Sequence, residues 1–183
     1  ERIVREWEDE LPSGTPTREM AAALTSMNGG GRETSPFRPQ QIPSVLGSPV
    51  AYVILTTDAF ASAFQPLADW KTQTGVPAVV RTMSFVQQQY PGAADDAERV
   101  RLFIRDAYAR WGTKWVLLGG DTDFIPERLA RTTFYGGENI ACDMYYSCLD
   151  GNWNADGDSL YGEGYYSSSD PGDAVDMLPE VYV

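Results

Sequence analysis

Hydrophobic and polar positions change their period several times along this chain, and the changes mark its elements. Val50 to Thr56 (VAYVILT) is a continuous apolar run, as expected of a strand covered on both faces. A helical repeat follows. Phe60, Phe64, Leu67, Ala68 and Lys71 mark it, Asp58 is placed to cap its start, and Gly75 stops it after Thr74. Pro66 interrupts the repeat, so a kink or a later start is expected there. Val76 to Thr82 reads as a second strand and Ser84 to Tyr90 as a short helix or turn. Asp95 or Asp96 begins an amphipathic helix to Trp111, with Val100, Phe103, Ile104, Ala107 and Tyr108 on the inner face and Gly112 as its cap. Trp115 to Leu118 is a third strand, predicted to be central, and it ends in Gly119-Gly120-Asp121. Strand and helix alternating over short links predict a parallel α/β sheet. If the chain reverses direction within the sheet, right-handed crossovers place the helices on opposite faces.

Residues 1–48 lack this order and read as a lead-in segment or linker, or the end of a pro-region. Ile3, Val4, Trp7 and Leu11 have helical spacing, and Pro12 and Gly14 break it. Thr17 caps a short predicted helix, Arg18 to Met27, and a proline-rich stretch from Arg32 to Pro49 reads as a tether or strap. Residues 49–183 are the candidate domain. These residues carry no secretory signal, but Glu1 is not Met, so the chain is expected to have been cut from something longer, which leaves room for a signal lost with the missing part.

After Pro126 the pattern becomes irregular, tyrosine-rich and acidic. The net charge is −12, and no Lys or Arg follows Arg131. Glu138, Asp143, Asp150, Asp156, Asp158, Glu163, Asp170, Asp173, Asp176 and Glu180 do follow it. Such a tail repels itself unless cations or a basic partner neutralise it, and it repels phosphate backbones, which excludes a nucleic-acid partner. No apolar run is long enough to span a membrane.

The chain contains no histidine. Ser-His-Asp and Cys-His catalysis and His-ligated zinc are therefore outside the reach of these residues alone. The run from Cys142 to Leu149 reads as a strand through Met144, Tyr145 and Tyr146. An extended chain would hold Cys142 and Cys148 roughly 20 Å apart, so they pair only if it folds back, and otherwise remain buried thiols.

The acidic stretch offers one candidate chemistry. Asn152, Asn154, Asp156, Gly157 and Glu163 match the first, third, fifth, sixth and twelfth positions of a calcium-binding loop, with Asp150 and Asp158 adding charge. The first position is Asn and the preceding run reads as strand, so an EF-hand is not expected. An Asn/Asp/Gly-rich turn needs no ion at all. Asp121 and Asp123 lie at the carboxyl end of the third predicted strand, where open α/β sheets bind ligands, and can hold a cation, anchor a loop or simply form a turn. Trp70 reads as helix–sheet packing, with Asp69 and Lys71 solvated. Tyr145, Tyr146, Trp153, Tyr161, Tyr165 and Tyr166 suit packing better than a sugar-binding face, and Ser167 to Ser169 read as a loop.

Taken in order, YVILTTDAF, FQPLADWKTQTGVPAVV, RVRLFIRDAYARWGTKWVLLGGDTDFIPER, DMYYSCLDGNWNADGDSLYGE and LPEVYV resemble the amino-terminal half of the gingipain-type cysteine peptidases, family C25. The resemblance runs from Pro49 to Val183. It implies a caspase-like α/β three-layer sandwich with a mostly parallel sheet, of which this chain is the amino-terminal subdomain. It also implies a secreted or cell-surface enzyme, often calcium-bound, that cuts protein or peptide substrates with a Cys–His dyad. In this family the dyad follows the strand that begins at PEVYV, so the carboxy-terminal remainder of the peptidase domain is the expected partner. Neither Cys142 nor Cys148 matches the family nucleophile. Asp121, Asp143, Asp150, Asn152, Asp156, Asp158 and Glu163 fall in segments that resemble calcium-associated loops of relatives. Two alternatives stand beside the endopeptidase: a catalytically dead C25-like binding or secretion-assembly module, and a calcium-dependent carbohydrate-binding module.

Overall fold

The apolar run after Pro49 forms β1 (Tyr52–Thr56), the middle strand of a three-stranded sheet. The computed structural model describes residues 49–132, 137–164 and 172–183. The expected lead-in 1–48, its helix Arg18 to Met27, and Tyr165, Tyr166 and Ser167 to Ser169 lie outside the described residues.

β2 (Ala78–Thr82) and β3 (Trp115–Gly119) flank β1, both parallel to it, with Tyr52 opposite Ala78 on one side and Trp115 on the other. The chain thus moves one way from β1 to β2 and returns past β1 to β3. With right-handed crossovers that reversal puts the connecting helices on opposite faces, and the core divides accordingly. α1 (Ala61–Gln73) covers the face that carries Ile54, where Ala68, Leu67, Phe64 and Leu117 pack together. α2 (Met83–Gln89) and α3 (Asp96–Trp111) cover the face that carries Val53 and Leu55, with Val86, Val100, Phe103, Ile104 and Ala107. The result is a three-layer α/β sandwich. β3 has a second neighbour, because Tyr182 bridges Trp115 in parallel: Val116 donates to the Tyr182 carbonyl at 2.8 Å and Tyr182 donates to Lys114 at 2.9 Å.

Local chemistry accounts for the element ends. Asp95 caps α3 by accepting the Glu98 N–H at 2.8 Å, and Gly112 closes it in the left-handed region at φ 70°. Thr82 caps α2 through the Phe85 N–H. Two buried hydroxyls stitch strand ends across the sheet: Thr56 donates to the Gly119 carbonyl at 2.6 Å and Thr113 to that of Val50 at 2.7 Å.

Five expectations are corrected. α1 starts at Ala61, not at Asp58, because the Asp58 carboxylate is taken by the Ser84 hydroxyl at 2.7 Å. That hydrogen bond holds the Asp58 carboxyl below its ordinary range. α1 also runs through Pro66, which sits on the exposed side, where water can satisfy the carbonyl left without a donor. Trp70 is 56% exposed rather than packed on the sheet, and Tyr108 is 44% exposed although α3 buries its neighbours. The run Cys142 to Leu149 is not a strand. β4 (Leu129–Arg131) pairs antiparallel with β5 (Asn139–Ala141), and a one-turn helix α4 (Met144–Ser147) follows. Tyr145 and Tyr146 are both buried, which an alternating strand with one solvated face does not allow, so tertiary burial outweighs their β propensity. β6 (Gly151–Asn152) pairs antiparallel with β7 (Ala174–Val175).

Candidate functional site

The acidic half is attached to the sandwich by two buried arginines. Arg101, on α3, donates to four backbone carbonyls: Tyr145 at 3.0 Å, Cys148 at 3.0 Å, Leu149 at 2.9 Å and Asp150 at 2.9 Å. These are the groups that the short helix α4 and its exit leave unpaired. Arg128 lies over the rings of Tyr161 (3.8 Å) and Tyr145 (4.6 Å) and pairs with Asp95 at 2.7 Å. Burial alone would raise the Asp95 carboxyl, but the hydrogen bonds from Arg128 and the Glu98 N–H outweigh it and leave the group below the ordinary carboxylate range. Tyr146 hydrogen-bonds the Pro126 carbonyl.

Beyond these anchors the loop from Asn152 to Glu163 is organised by polar groups. Asn152 accepts the Asn154 N–H at 3.0 Å, Asp156 that of Asp158 at 3.2 Å, and Asp158 that of Leu160 at 2.5 Å. The Asn154 amide donates to the Asp158 carbonyl at 3.0 Å. Gly157 turns the loop at φ 78°, a conformation that costs a side-chain-bearing residue steric strain. The outcome is that carboxylate oxygens of Asp156, Asp158 and Glu163 lie within 4.8 Å of one another. Asp156 and Asp158 are exposed, whereas Glu163 is 7% exposed. In the same loop the Asn154 Oδ1 is buried and has no hydrogen-bond partner among the described residues. The three carboxylates are an oxygen-only set, the donor type that a hard divalent cation such as calcium takes.

The other expected ligands lie elsewhere. Asp150 groups with Asp176 and Glu180 within 4.8 Å. There Glu180 already accepts the Leu149 N–H at 2.5 Å, Asp176 accepts that of Leu178 at 2.9 Å, and the Arg101 guanidinium reaches the Asp150 carbonyl. Asp121 belongs to neither group. It is exposed, its carboxylate accepts the Asp123 N–H at 3.1 Å, and its carbonyl accepts from Phe124 and Ile125, which closes a turn. At that sheet edge Gly119 lies against Phe64 and Gly120 against Phe124, and Phe124 meets Phe60 edge-on at 4.9 Å. Asn152 is exposed and serves its turn.

One organising residue escaped the sequence reading. Asp173 accepts the N–H groups of Ala155 (2.5 Å), Gly162 (2.7 Å) and Glu163 (3.4 Å), so a single carboxylate touches both ends of the acidic loop. No local signal marks it, since the bonds cross ten to eighteen residues of sequence.

Both cysteines are free. Cys148 is fully buried, and burial pushes its thiol up, so it stays protonated and unreactive. Tyr145, Tyr146 and Trp153 are buried, with Tyr145 edge-on to the other two rings, and so form packing rather than an exposed sugar platform. Among the described residues no helix is long and apolar enough to cross a membrane.

Comparison with known proteins returns one finding. The model of peptidase family C25 matches residues 46–183. Neither the curated proteins nor the solved structures give a match. The matched region covers the whole three-layer sandwich and the acidic loop, and the chain therefore belongs to peptidase family C25, the gingipain-type cysteine peptidases with a caspase-like α/β fold.

Proposed function

We propose that this chain is the amino-terminal part of the catalytic domain of a secreted or cell-surface, calcium-binding cysteine endopeptidase, with the reacting Cys and His supplied by a carboxy-terminal segment. The observation that carries the reading is the family match over a chain without histidine. A Cys–His enzyme needs an imidazole to take the proton of its thiol, so that the thiolate attacks the peptide carbonyl, and to return that proton to the leaving amine. Cys148 is sealed in the core and Cys142 packs against it, which suits neither for that task. The parallel pairing of Tyr182 beside β3 supports a sheet that continues on this side, where further strands would carry the dyad.

Asp156, Asp158 and Glu163, with the Asn154 amide oxygen, would hold the calcium. When bound, calcium would offset most of the repulsion between these carboxylates and stabilise the folded state by mass action. The protein's own residues do the rest: Arg101 and Arg128 fix the loop's base to α3, and the sandwich supplies a rigid sheet edge. The extracellular location rests on the likeness to the gingipain-type peptidases, which implies a secreted or cell-surface enzyme.

A peptide-linked thiol-reactive inhibitor tests the peptidase reading on the full-length protein, with the labelled residue found by peptide mass mapping. The label is expected on a cysteine other than Cys142 and Cys148. Labelling of either, or peptidase activity that the inhibitor leaves untouched, overturns the reading. Calorimetric titration of the chelator-stripped protein tests the metal, and absence of binding at millimolar calcium removes that part.

A further inference from the structure

We propose that the proline-rich segment from Pro36 to Pro43 docks as a polyproline II strand in the groove on the outer side of α1, with Arg38 paired to Asp69. The proposal stands apart from the peptidase and calcium readings, and it gives the stretch that the sequence marks as a strap a defined seat. Among the described residues, Ala61, Ser62, Gln65, Pro66 and Asp69 line an open groove of about 470 Å³. Ala61 and Pro66 give it an apolar floor. Pro66 has no N–H to offer the Ser62 carbonyl, which is therefore available to an N–H of the occupant. The Asp69 carboxylate is held in place, since its Oδ1 accepts the Gln65 amide at 2.6 Å. Trp70 follows Pro66 by four residues, so it lies beside it on the helix surface, and it is exposed. An exposed aromatic ring beside an apolar groove is the arrangement that receives PxxP segments.

Sequence, charge and reach choose the occupant. PFRPQQIP places Pro36 and Pro39 at PxxP spacing. A polyproline II strand has three residues per turn, so Pro36, Pro39 and Ile42 fall on one edge, for Pro66 and Trp70, and Arg38 on a neighbouring edge, for Asp69. Arg38 is the one charge between Glu33 and Pro49, and Asp69 is the one charged residue named in the groove. Ala78 donates to the Thr72 hydroxyl at 3.0 Å and pairs with Tyr52, so α1 ends where the chain enters β1 from Pro49. Asp69 lies about 5 Å along the helix from Thr72. The stretch from Arg38 to Pro49 spans roughly 35 Å when extended, which covers that distance with slack. A tether this short sets an effective concentration on the order of 1 mM, so an intrinsic dissociation constant of about 0.1 mM leaves the groove about 90% occupied.

The test places a benzophenone photo-crosslinker in the segment of the full-length protein, as Gln41→benzoylphenylalanine on the Arg38 edge, and locates its attachment by peptide mass mapping. Attachment within α1 of the same chain is expected. Asp69→Lys replaces attraction by repulsion and should weaken the contact about 30-fold, which cuts the yield to about a third. Adding Arg38→Asp should restore it, and Trp70→Ala should lower it. Amide exchange in α3 is expected to match wild type throughout, which separates lost docking from general unfolding. Attachment elsewhere in the chain, attachment only between two copies, or no attachment overturns the proposal, as does a yield indifferent to Asp69→Lys. If Asp69→Lys does not fold, Arg38→Asp alone decides, since it leaves α1 untouched: a lowered yield supports the docking and an unchanged one overturns it. If the Gln41 replacement does not fold, the same reporter at Ile42 is read by the same outcomes.

Discussion

The two halves of this chain are held by different forces. From Val50 to Gly119 a parallel sheet is buried between helices, and stability comes from non-directional apolar burial: Val53, Leu55, Val100, Phe103 and Ile104 are all fully buried. Among the described residues from Leu129 to Val175 the strands have two or three residues and the helix a single turn. Elements that short cannot stand alone, so side chains bonded to distant backbone replace regular ladders. The comparison teaches where each half is vulnerable. The sandwich fails when its volume is disturbed, and the acidic half fails when an anchor or its charge balance is disturbed.

The largest expected effect lies in the sandwich. Phe103→Ala removes a fully buried ring that meets Phe85, Tyr90 and Trp111 edge-on, and should cost about 3–5 kcal/mol in urea unfolding. Because Tyr145, Tyr146 and Trp153 belong to the same core, both halves should melt together. Separate transitions would show the acidic half to be an independent unit.

Arg101→Met should come next, at about 3 kcal/mol, since four carbonyls lose one donor and buried acceptors left unpaired are costly. Hydrogen exchange should rise in residues 144–153 before it rises in β1. An unchanged pattern would mean that Arg101 is merely accommodated. Arg101→Lys should not restore the loss, because an ammonium cannot span that set of acceptors.

If the acidic loop holds calcium as proposed, removing the ion should destabilise the shared core through that loop. At calcium about 100-fold above its dissociation constant the ion contributes about 2.7 kcal/mol. Chelation should therefore lower the unfolding midpoint and expose the loop near Gly157 to limited proteolysis, with α3 still protected. Equal cleavage in α3 and in the loop would contradict a calcium effect centred on the loop.

The smallest effect is one of pH. Asp95 has a folded-state pKa below its unfolded value near about 4, so its contribution is fully present above that value and lost as pH falls through the folded one. The carboxylate is 43% exposed, which limits the contribution to about 0.5 kcal/mol after solvent screening. The difference in urea midpoint between pH 7 and pH 3 should be slightly smaller in Asp95→Asn than in wild type. An equal difference would leave the Arg128 pair without energetic weight.

Element types in the sandwich were legible in the sequence because their signals are local. An unbroken apolar run means a strand covered on both faces, a repeat every three or four residues means a helix face, and Asp95 and Gly112 mark helix ends by chemistry they carry themselves. The absence of histidine likewise settled, without coordinates, that a Cys–His pair cannot be completed within these residues. Only the tertiary structure decided the rest. Strand order required knowing that the chain returns past β1, and the exposure of Trp70 and Tyr108 depended on where each layer ends. Tyr145 and Tyr146 became a helical turn because both rings are buried edge-on to each other, with Tyr145 also against Arg101, Arg128 and Trp153. Spacing suggested a loop from Asn152 to Glu163 with Asp150 adding charge, yet folding sent Asp150 to Asp176 and Glu180 and brought Asp173 from outside the loop to accept N–H groups at both its ends, while Asp121, expected separately at a sheet edge, closes a turn. Hydrogen bonds and charge pairs act over a few ångströms in space whatever their separation along the chain, so no local pattern encodes them.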